Sequence, residues 1–291
     1  MNNDKKILEQ DVINSFILQS IQENRSSKKW SFFLKLVFLI FIFAFFFITI
    51  SYFKNSNFKN SEHVGVIYIN GLISDNRSSS SRNIIDLIDS AFYNNNCKAI
   101  ILRINSPGGT PVQSNIIHDY IKEKRSLNIK PIYSVIEDMG TSGAYLIAIA
   151  TEKIYCDPSS IVGSISASIN TFGVVDILDK LGIERRLYKS GKHKSILNPF
   201  AERNQEDDEV ILHNLNLVHN NFVSSVKKDR PFIKLDEDEL FSGKFWIGRE
   251  ALEFGLVDGF YNVYSLSKDI IKLHNLVEYK HEIFFLNNLI R

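Results

Sequence analysis

The sequence predicts an α/β domain built on a parallel sheet, carried behind one transmembrane helix. Three observations support this. Short β-rich apolar runs alternate with helical runs between residues 64 and 156, and such alternation implies parallel strands with helices on the sheet faces. The strand runs stop at turn signals: Asn70-Gly71, Asn105-Ser106-Pro107-Gly108-Gly109 and Asp157-Pro158. Nine of the 22 phenylalanines fall between Phe32 and Phe53, a stretch whose only charge is Lys35.

The elements follow in order along the 291 residues, enough for one large domain plus appendages. Residues 1–31 read as a cytoplasmic amphipathic segment, because Leu8, Val12 and Phe16, like Ile13, Ile17 and Ile21, recur at helical spacing. Residues 32–53 read as the membrane anchor: 22 helical residues reach about 33 Å, against a hydrocarbon core of about 30 Å. Lys35 snorkels near one end, and Trp30 and Tyr52 suit the interfaces. A cleaved leader is disfavoured, since 31 residues precede the run and no small-residue cleavage site follows it. Arg25, Lys28, Lys29 and Lys35 outnumber Lys54 and Lys59 across it, so the N-terminus is expected in the cytoplasm and the rest in a periplasm-like compartment. Cys97 and Cys156 are permitted to pair there, but nothing in the sequence places them side by side.

After a polar linker, residues 54–61, come strand Val64–Ile69, helix Ile84–Phe92, strand Ala99–Ile104 and helix Val112–Ile121. Strand Ile132–Ile136, helix Ser142–Ala150, strand Lys153–Cys156 and a long amphipathic helix Leu212–Val226 complete the series. Net charge is +1, from 34 Lys+Arg against 33 Asp+Glu, so no charge excess points to nucleic acid. Two cysteines exclude a disulfide scaffold and a multi-cysteine metal cage.

In such folds ligands bind beyond the carboxyl ends of the strands, so the loops there are where chemistry is sought. Adjacent Gly108 and Gly109 let backbone amides face a cavity, where two donors can bind an oxyanion, although a plain turn has the same composition. Ser142 lies between Gly140 and Gly143 at a strand-to-helix junction, a setting that suits a nucleophile or equally a helix cap. Lys189-Ser190-Gly191-Lys192-His193-Lys194 reads as a solvated turn unless one lysine is neutral and acts as a base. Moving a lysine from about 10.4 to about 7 takes roughly 4.6 kcal/mol of environmental bias, which only a dry, assembled site supplies.

Together these motifs resemble the signal peptide peptidase A family in its short, single-repeat form. They occur in order: Asn105–Gly109, Thr141–Tyr145, Gly163-Ser164, Tyr188–Lys194, Phe241–Ala251 and Gly255–Gly259. The resemblance spans roughly residues 62–265, which makes that stretch the peptidase domain and leaves 266–291 as an expected helical tail. It implies a crotonase-like or Clp-protease-like repeated β-β-α superhelix and a serine–lysine dyad without metal or cofactor. Ser142 matches the nucleophile, Lys194 the general base and Ser164 the serine that orients the lysine amine. The backbone N–H groups of Gly109 and Gly143 match the oxyanion hole. Implied partners are peptide substrates such as spent signal peptides, the bilayer, and further copies of the chain in a ring- or dome-like homo-oligomer.

Two departures from the family pattern stand out. Ala144 replaces a glycine after Ser142-Gly143, and Ser166 replaces a glycine after Gly163-Ser164-Ile165, so Ser166 competes with Ser164 as the lysine's partner. Three alternatives remain: a crotonase-type acyl-CoA enzyme, a catalytically silent membrane scaffold, and a Ser-His-Asp hydrolase using His193 or His118 with Asp138. The first has no use for an anchor or for Lys194, and intact Ser142 and Lys194 oppose the second. Whether Ser142 and Lys194 meet within one chain or between two is open.

Overall fold

A computed structural model describes residue 30 and residues 33–49 and 61–280. The chain divides into two units, residues 1–60 and 61–291. In the first, residues 33–49 form helix α1, with apolar side chains exposed on every side, among them Phe38, Phe41, Phe43 and Phe47. No helix among the described residues is long and apolar enough to cross a membrane. The expected anchor runs past α1 to residues 32 and 50–53, which lie outside the described residues, as do the amphipathic segment before Trp30 and most of the linker.

The second unit is a mixed α/β structure around a central eight-stranded sheet. Its core strands are β1 (His63–Asn70), β2 (Cys97–Ser106) and β3 (Ile132–Thr141), all parallel. β2 carries a nearly continuous buried run because helices or loops cover both faces, as parallel sheets require. On one face packs α2 (Ser81–Phe92), whose Ile84, Ile88, Ala91 and Phe92 recur at helical spacing and are buried; Ser80 caps it by accepting the Asn83 amide. Beside it lies α3 (Pro111–Ser126), opened by proline at its first turn.

β3 runs five residues further than its apolar run, because Met139-Gly140-Thr141, in a stretch whose composition reads as loop, pairs with β5 residues 161–163. Its far edge is shared by β4 (Ile154–Cys156) along the first half and β5 (Ile161–Gly163) along the second. α4 (Gly143–Ile149) follows β3 and is buried along its whole length. Tyr145 in it is fully buried and donates its hydroxyl to the Leu256 carbonyl at 2.9 Å. Ala144, the first departure from the family pattern, is fully buried too.

Beyond β5 come α5 (Val175–Lys180) and the 25-residue α6 (Gln205–Asp229), then α7 (Glu237–Leu240) and β6 (Phe245–Ile247), which pairs antiparallel to β5. α8 (Gly248–Glu253) leads to β7 (Gly259–Phe260) beside β4. Asp258 binds this last region to the sheet: its Oδ2 accepts the Ile154 amide at 2.8 Å and Arg230 at 2.9 Å. The expected tail from residue 266 is not wholly helical. After α9 (Val263–Leu266) and a π-helical turn, Leu276–Tyr279 forms β8 and covers the otherwise open edge of β1. Its Val277 and Tyr279 alternate inward, the pattern of a strand with one buried face. Cys97 and Cys156 are free and buried, and burial with Asp157 nearby pushes the Cys156 thiol up to about 12.

Candidate active site

Strand register assembles the site. Ser106 of β2 stands opposite Gly140 of β3, and Thr141 of β3 opposite Gly163 of β5. Because these strands are parallel, the chain leaves all three at the same carboxyl edge, and the loops at Pro107, Ser142 and Ser164 emerge together.

Ser142 is half-buried and sits between β3 and α4 with φ 52° and ψ −125°. A non-glycine residue at positive φ holds about 1–3 kcal/mol of strain that its surroundings must over-determine. Here they do: the Ser142 amide donates to Gly163 at 2.9 Å, and its carbonyl accepts Leu146 at 3.0 Å. At this bend Ser142 borders an open cleft at the sheet's carboxyl edge.

The glycines in front of Ser142 are fixed by contact. At Gly108, φ is +99° and an added Cβ would lie 2.9 Å from the Ser142 Cβ and 2.8 Å from the Gly143 nitrogen. At Gly109 an added Cβ would come 1.9 Å from the Ile73 carbonyl oxygen. Ile73 accepts the Thr110 N–H and donates its own N–H to the Gly108 carbonyl, so the bridge uses the groups on either side of Gly109 and leaves the Gly109 N–H out of it. An added Cβ on Gly143 would lie 3.4 Å from the Gly109 nitrogen, so the two glycines approach each other, and both line the same cleft as Ser142. Among the described residues neither amide donates a hydrogen bond. Asn105, through Asp138 at 2.8 Å, and buried Ser106, which accepts Gly108 at 3.1 Å, pin the loop to the sheet.

These groups open onto a cleft of about 850 Å³ that also includes Ser164 and Ser166. Its apolar walls come from Val112, Leu146, Ile169, Leu215, Val218 and Phe222. Ser164, at φ 53°, is held by its amide donating to Lys244 at 2.7 Å, so the Phe241–Ala251 motif supports it through the β5–β6 pair. Ser166 donates its amide to the Ser164 carbonyl and packs against Gly243.

The lysine-rich turn lies elsewhere on the chain. Lys189 donates to the Lys192 carbonyl and to Ser195, Lys192 pairs with Glu206 at 2.5 Å, and His193 bonds Asp207. Lys194 is exposed, its ammonium makes no hydrogen bond or ion pair among the described residues, and it does not line the Ser142 cleft. One chain therefore brings together Ser142, Gly109, Gly143 and Ser164, but not Lys194. The histidine alternative finds no support: His118 bonds Asp119 and Asp229, His193 bonds Asp207, Asp138 bonds Asn105, and neither histidine lines the cleft. Among the described residues no group of His, Cys, Asp or Glu could hold a metal ion.

Sequence reading missed Ser114, Ile73 and the wall given by α6. Ser114 is fully buried, and its Oγ would lie 2.3 Å from a Cβ placed on Gly143. Its signal was faint: a serine flanked by Gln113 and Asn115 in a polar stretch of the helix start, with nothing to single it out. Asn214 and Asn221, both on α6 and in the cleft, mark the helix face that turns to the site.

Comparison with known proteins agrees with this geometry. The chain matches the model of peptidase family S49 over residues 124–276, more than half of its length. It is 40% identical over 173 residues to a protein of Brucella melitensis named Na(+)/H(+) antiporter NhaA, covering 60% of this chain and 24% of that protein. It is 29% identical over 198 residues to a protein named signal peptide peptidase SppA in Enterococcus faecium, covering 65% and 57%. Protease 4 of Haemophilus influenzae is 26% identical over 225 residues, covering 75% of this chain and 35% of that one. The chain thus spans well under two thirds of the length of these relatives. The mixed α/β unit with its central sheet fits a Clp-protease-like fold, and the chain belongs to peptidase family S49, with a serine-type peptidase site consistent with that membership.

Proposed function

We propose that the protein is a membrane-anchored serine endopeptidase that degrades cleaved signal peptides and other short or unfolded peptides on the periplasmic side of the inner membrane. The observation that carries the chemistry is the convergence of Ser142 and the Gly109 and Gly143 amides on one apolar-walled cleft. A neutral Lys194 takes the Ser142 proton, and the Oγ attacks the peptide carbonyl carbon. The two amides hold the oxyanion, each worth about a hundredfold to a thousandfold in rate. The lysine then gives its proton to the departing amine, and water, deprotonated by the same amine, releases the acyl group from Ser142. Ser164 steadies the amine from the cleft wall.

The base comes from a second copy of the chain. Support for this is the absence of a lysine from the cleft lining, the unengaged Lys194 ammonium, and the exposed apolar Phe172, Leu187 and Tyr188 on the same segment. Anchoring is supported by α1, whose apolar circumference has no water-facing side. The apolar cleft walls favour Leu- or Ala-like side chains next to the scissile bond.

The test uses the full chain. Ser142→Ala and Lys194→Ala each abolish peptidase activity, whereas the two variants co-expressed form mixed assemblies that regain it. Normal turnover by Lys194→Ala sinks the dyad, and mixtures that stay dead sink the shared site. Preference for charged side chains in a peptide library removes the apolar subsite.

A further inference from the structure

Within the lysine-rich turn, the geometry points to His193 and Asp207 as positioning residues for Lys194, an inference that rests on Lys194 being the base. Irregular chain runs from Ser164 to Asn204 apart from the single short helix α5, and much of it is exposed, so nothing in the core holds Lys194 in place. What holds it is the first turn of α6. Asn204 caps that helix, its Oδ1 accepting the Asp207 amide at 2.8 Å while its Nδ2 donates to Asp207 Oδ2 at 2.6 Å. The other carboxylate oxygen, Oδ1, accepts His193 Nδ1 at 2.5 Å. Both oxygens are therefore engaged, and the Asp207 side chain is only 12% exposed although it is a carboxylate. The hydrogen bond from His193 holds that carboxyl below its ordinary value.

A second strap runs beside the first. Lys192 pairs with Glu206 at 2.5 Å, and Lys189 closes the turn from inside by donating to the Lys192 carbonyl and to Ser195 Oγ at 2.7 Å. Every cation or imidazole of the run is thus tied to its own chain except the Lys194 ammonium. The same α6 continues to Leu215, Val218 and Phe222 in the wall of its own cleft, so one rigid helix links the turn that presents a base to the groove that receives one. A base on an unsupported turn would lose alignment, and small misplacements in a reacting group cost about a hundredfold in rate.

The experiment compares His193→Ala, His193→Asn, Asp207→Ala and the double alanine variant with Lys194→Ala, all as full chains, on a fluorogenic peptide with leucine before the scissile bond. His193→Ala and Asp207→Ala are expected to lower kcat about tenfold or more with KM within about twofold. The double variant falls no further than the worse single one, because both remove the same strap. Asparagine offers an amide donor near the position of Nδ1 and cannot act as a base, so His193→Asn recovers most of kcat. Full activity in both single variants, a loss carried by KM, additive losses, or an asparagine variant as poor as alanine would each overturn the assignment. Lys194→Ala separates the two claims: if it is active the base itself is misassigned, and if it is dead while His193→Ala is normal only the strap is wrong.

Discussion

Residues 61–163 and residues 164–203 carry the two halves of one proposed dyad, and they are built on opposite principles. In the first, strands β1 to β5 and helices α2 to α4 bury most of their large apolar side chains, and Ser142 is fixed by register, by two backbone hydrogen bonds and by glycines that tolerate no Cβ. In the second, Ile169, Phe172, Ile183, Leu187 and Tyr188 are exposed, the last at 90%, and Lys194 stands on a turn secured by polar straps. Apolar surface left to water on one segment is a free-energy deficit that association removes. The proposed nucleophile and oxyanion amides therefore lie together in a single chain, while the proposed base, Lys194, is exposed and away from that cleft.

The largest expected effect breaks this comparison at its two ends. Ser142→Ala and Lys194→Ala should each lower kcat/KM by about a thousandfold or more without moving the unfolding midpoint, while Lys192→Ala keeps most activity. Peptidase assays and denaturant melts on the same preparations check this. A Lys192→Ala variant as dead as Lys194→Ala would transfer the base to the wrong neighbour.

Stability separates the regions next. Ile101, fully buried on β2, should lose about 2–5 kcal/mol on truncation to alanine. Phe172→Ala, at a side chain 72% exposed, should stay within about 0.5 kcal/mol in a monomeric unfolding measurement. It should nonetheless reduce activity and weaken association, read by sedimentation. Equal stability losses at both positions would mean that the exposed segment packs on its own chain.

A smaller effect sits beneath Ser142. Tyr145→Phe removes the hydroxyl that satisfies the Leu256 carbonyl in the core, a loss of about 1–3 kcal/mol by chemical denaturation. The same hydrogen bond ties α4 to the Gly255–Gly259 motif, so that motif braces the helix that follows Ser142.

How far the sequence could be read divides along the same line. Val64–Ile69, Ala99–Ile104 and Ile132–Ile136 were legible because strands buried on both faces are written as apolar runs. Ser142, Gly109, Gly143 and Ser164 were legible as motifs, and their convergence follows from register. β5, β6 and β7, of two or three residues each, carry too little pattern to be seen, and Leu276–Tyr279 forms a strand only because β1 offers an edge. The His193–Asp207 strap was invisible for a different reason. Its partners are 14 residues apart in a region without periodicity, and charged residues there look the same whether paired or solvated.

The smallest effect concerns pH and the far end of α6. Asp229 closes that helix, its Oδ2 2.7 Å from His118 Nε2 and its Oδ1 bonded to Lys122, both on α3, while Asp119 faces the other ring nitrogen of His118 at 2.8 Å. Burial alone would raise the Asp229 carboxyl, but the bonds from His118 and Lys122 outweigh it and leave it below the ordinary carboxylate value. A carboxyl lowered on folding contributes stability that is fully present above its unfolded value, about 3.9, and is lost as pH falls through its lower folded value. Asp229→Asn should therefore be less stable than the wild type at pH 7, with the gap narrowing below about pH 4 as the native carboxylate takes up its proton. Denaturant midpoints measured from pH 7 down to pH 3 give the answer, because a gap that stays constant would mean that the α3–α6 link is held by packing and not by this charge.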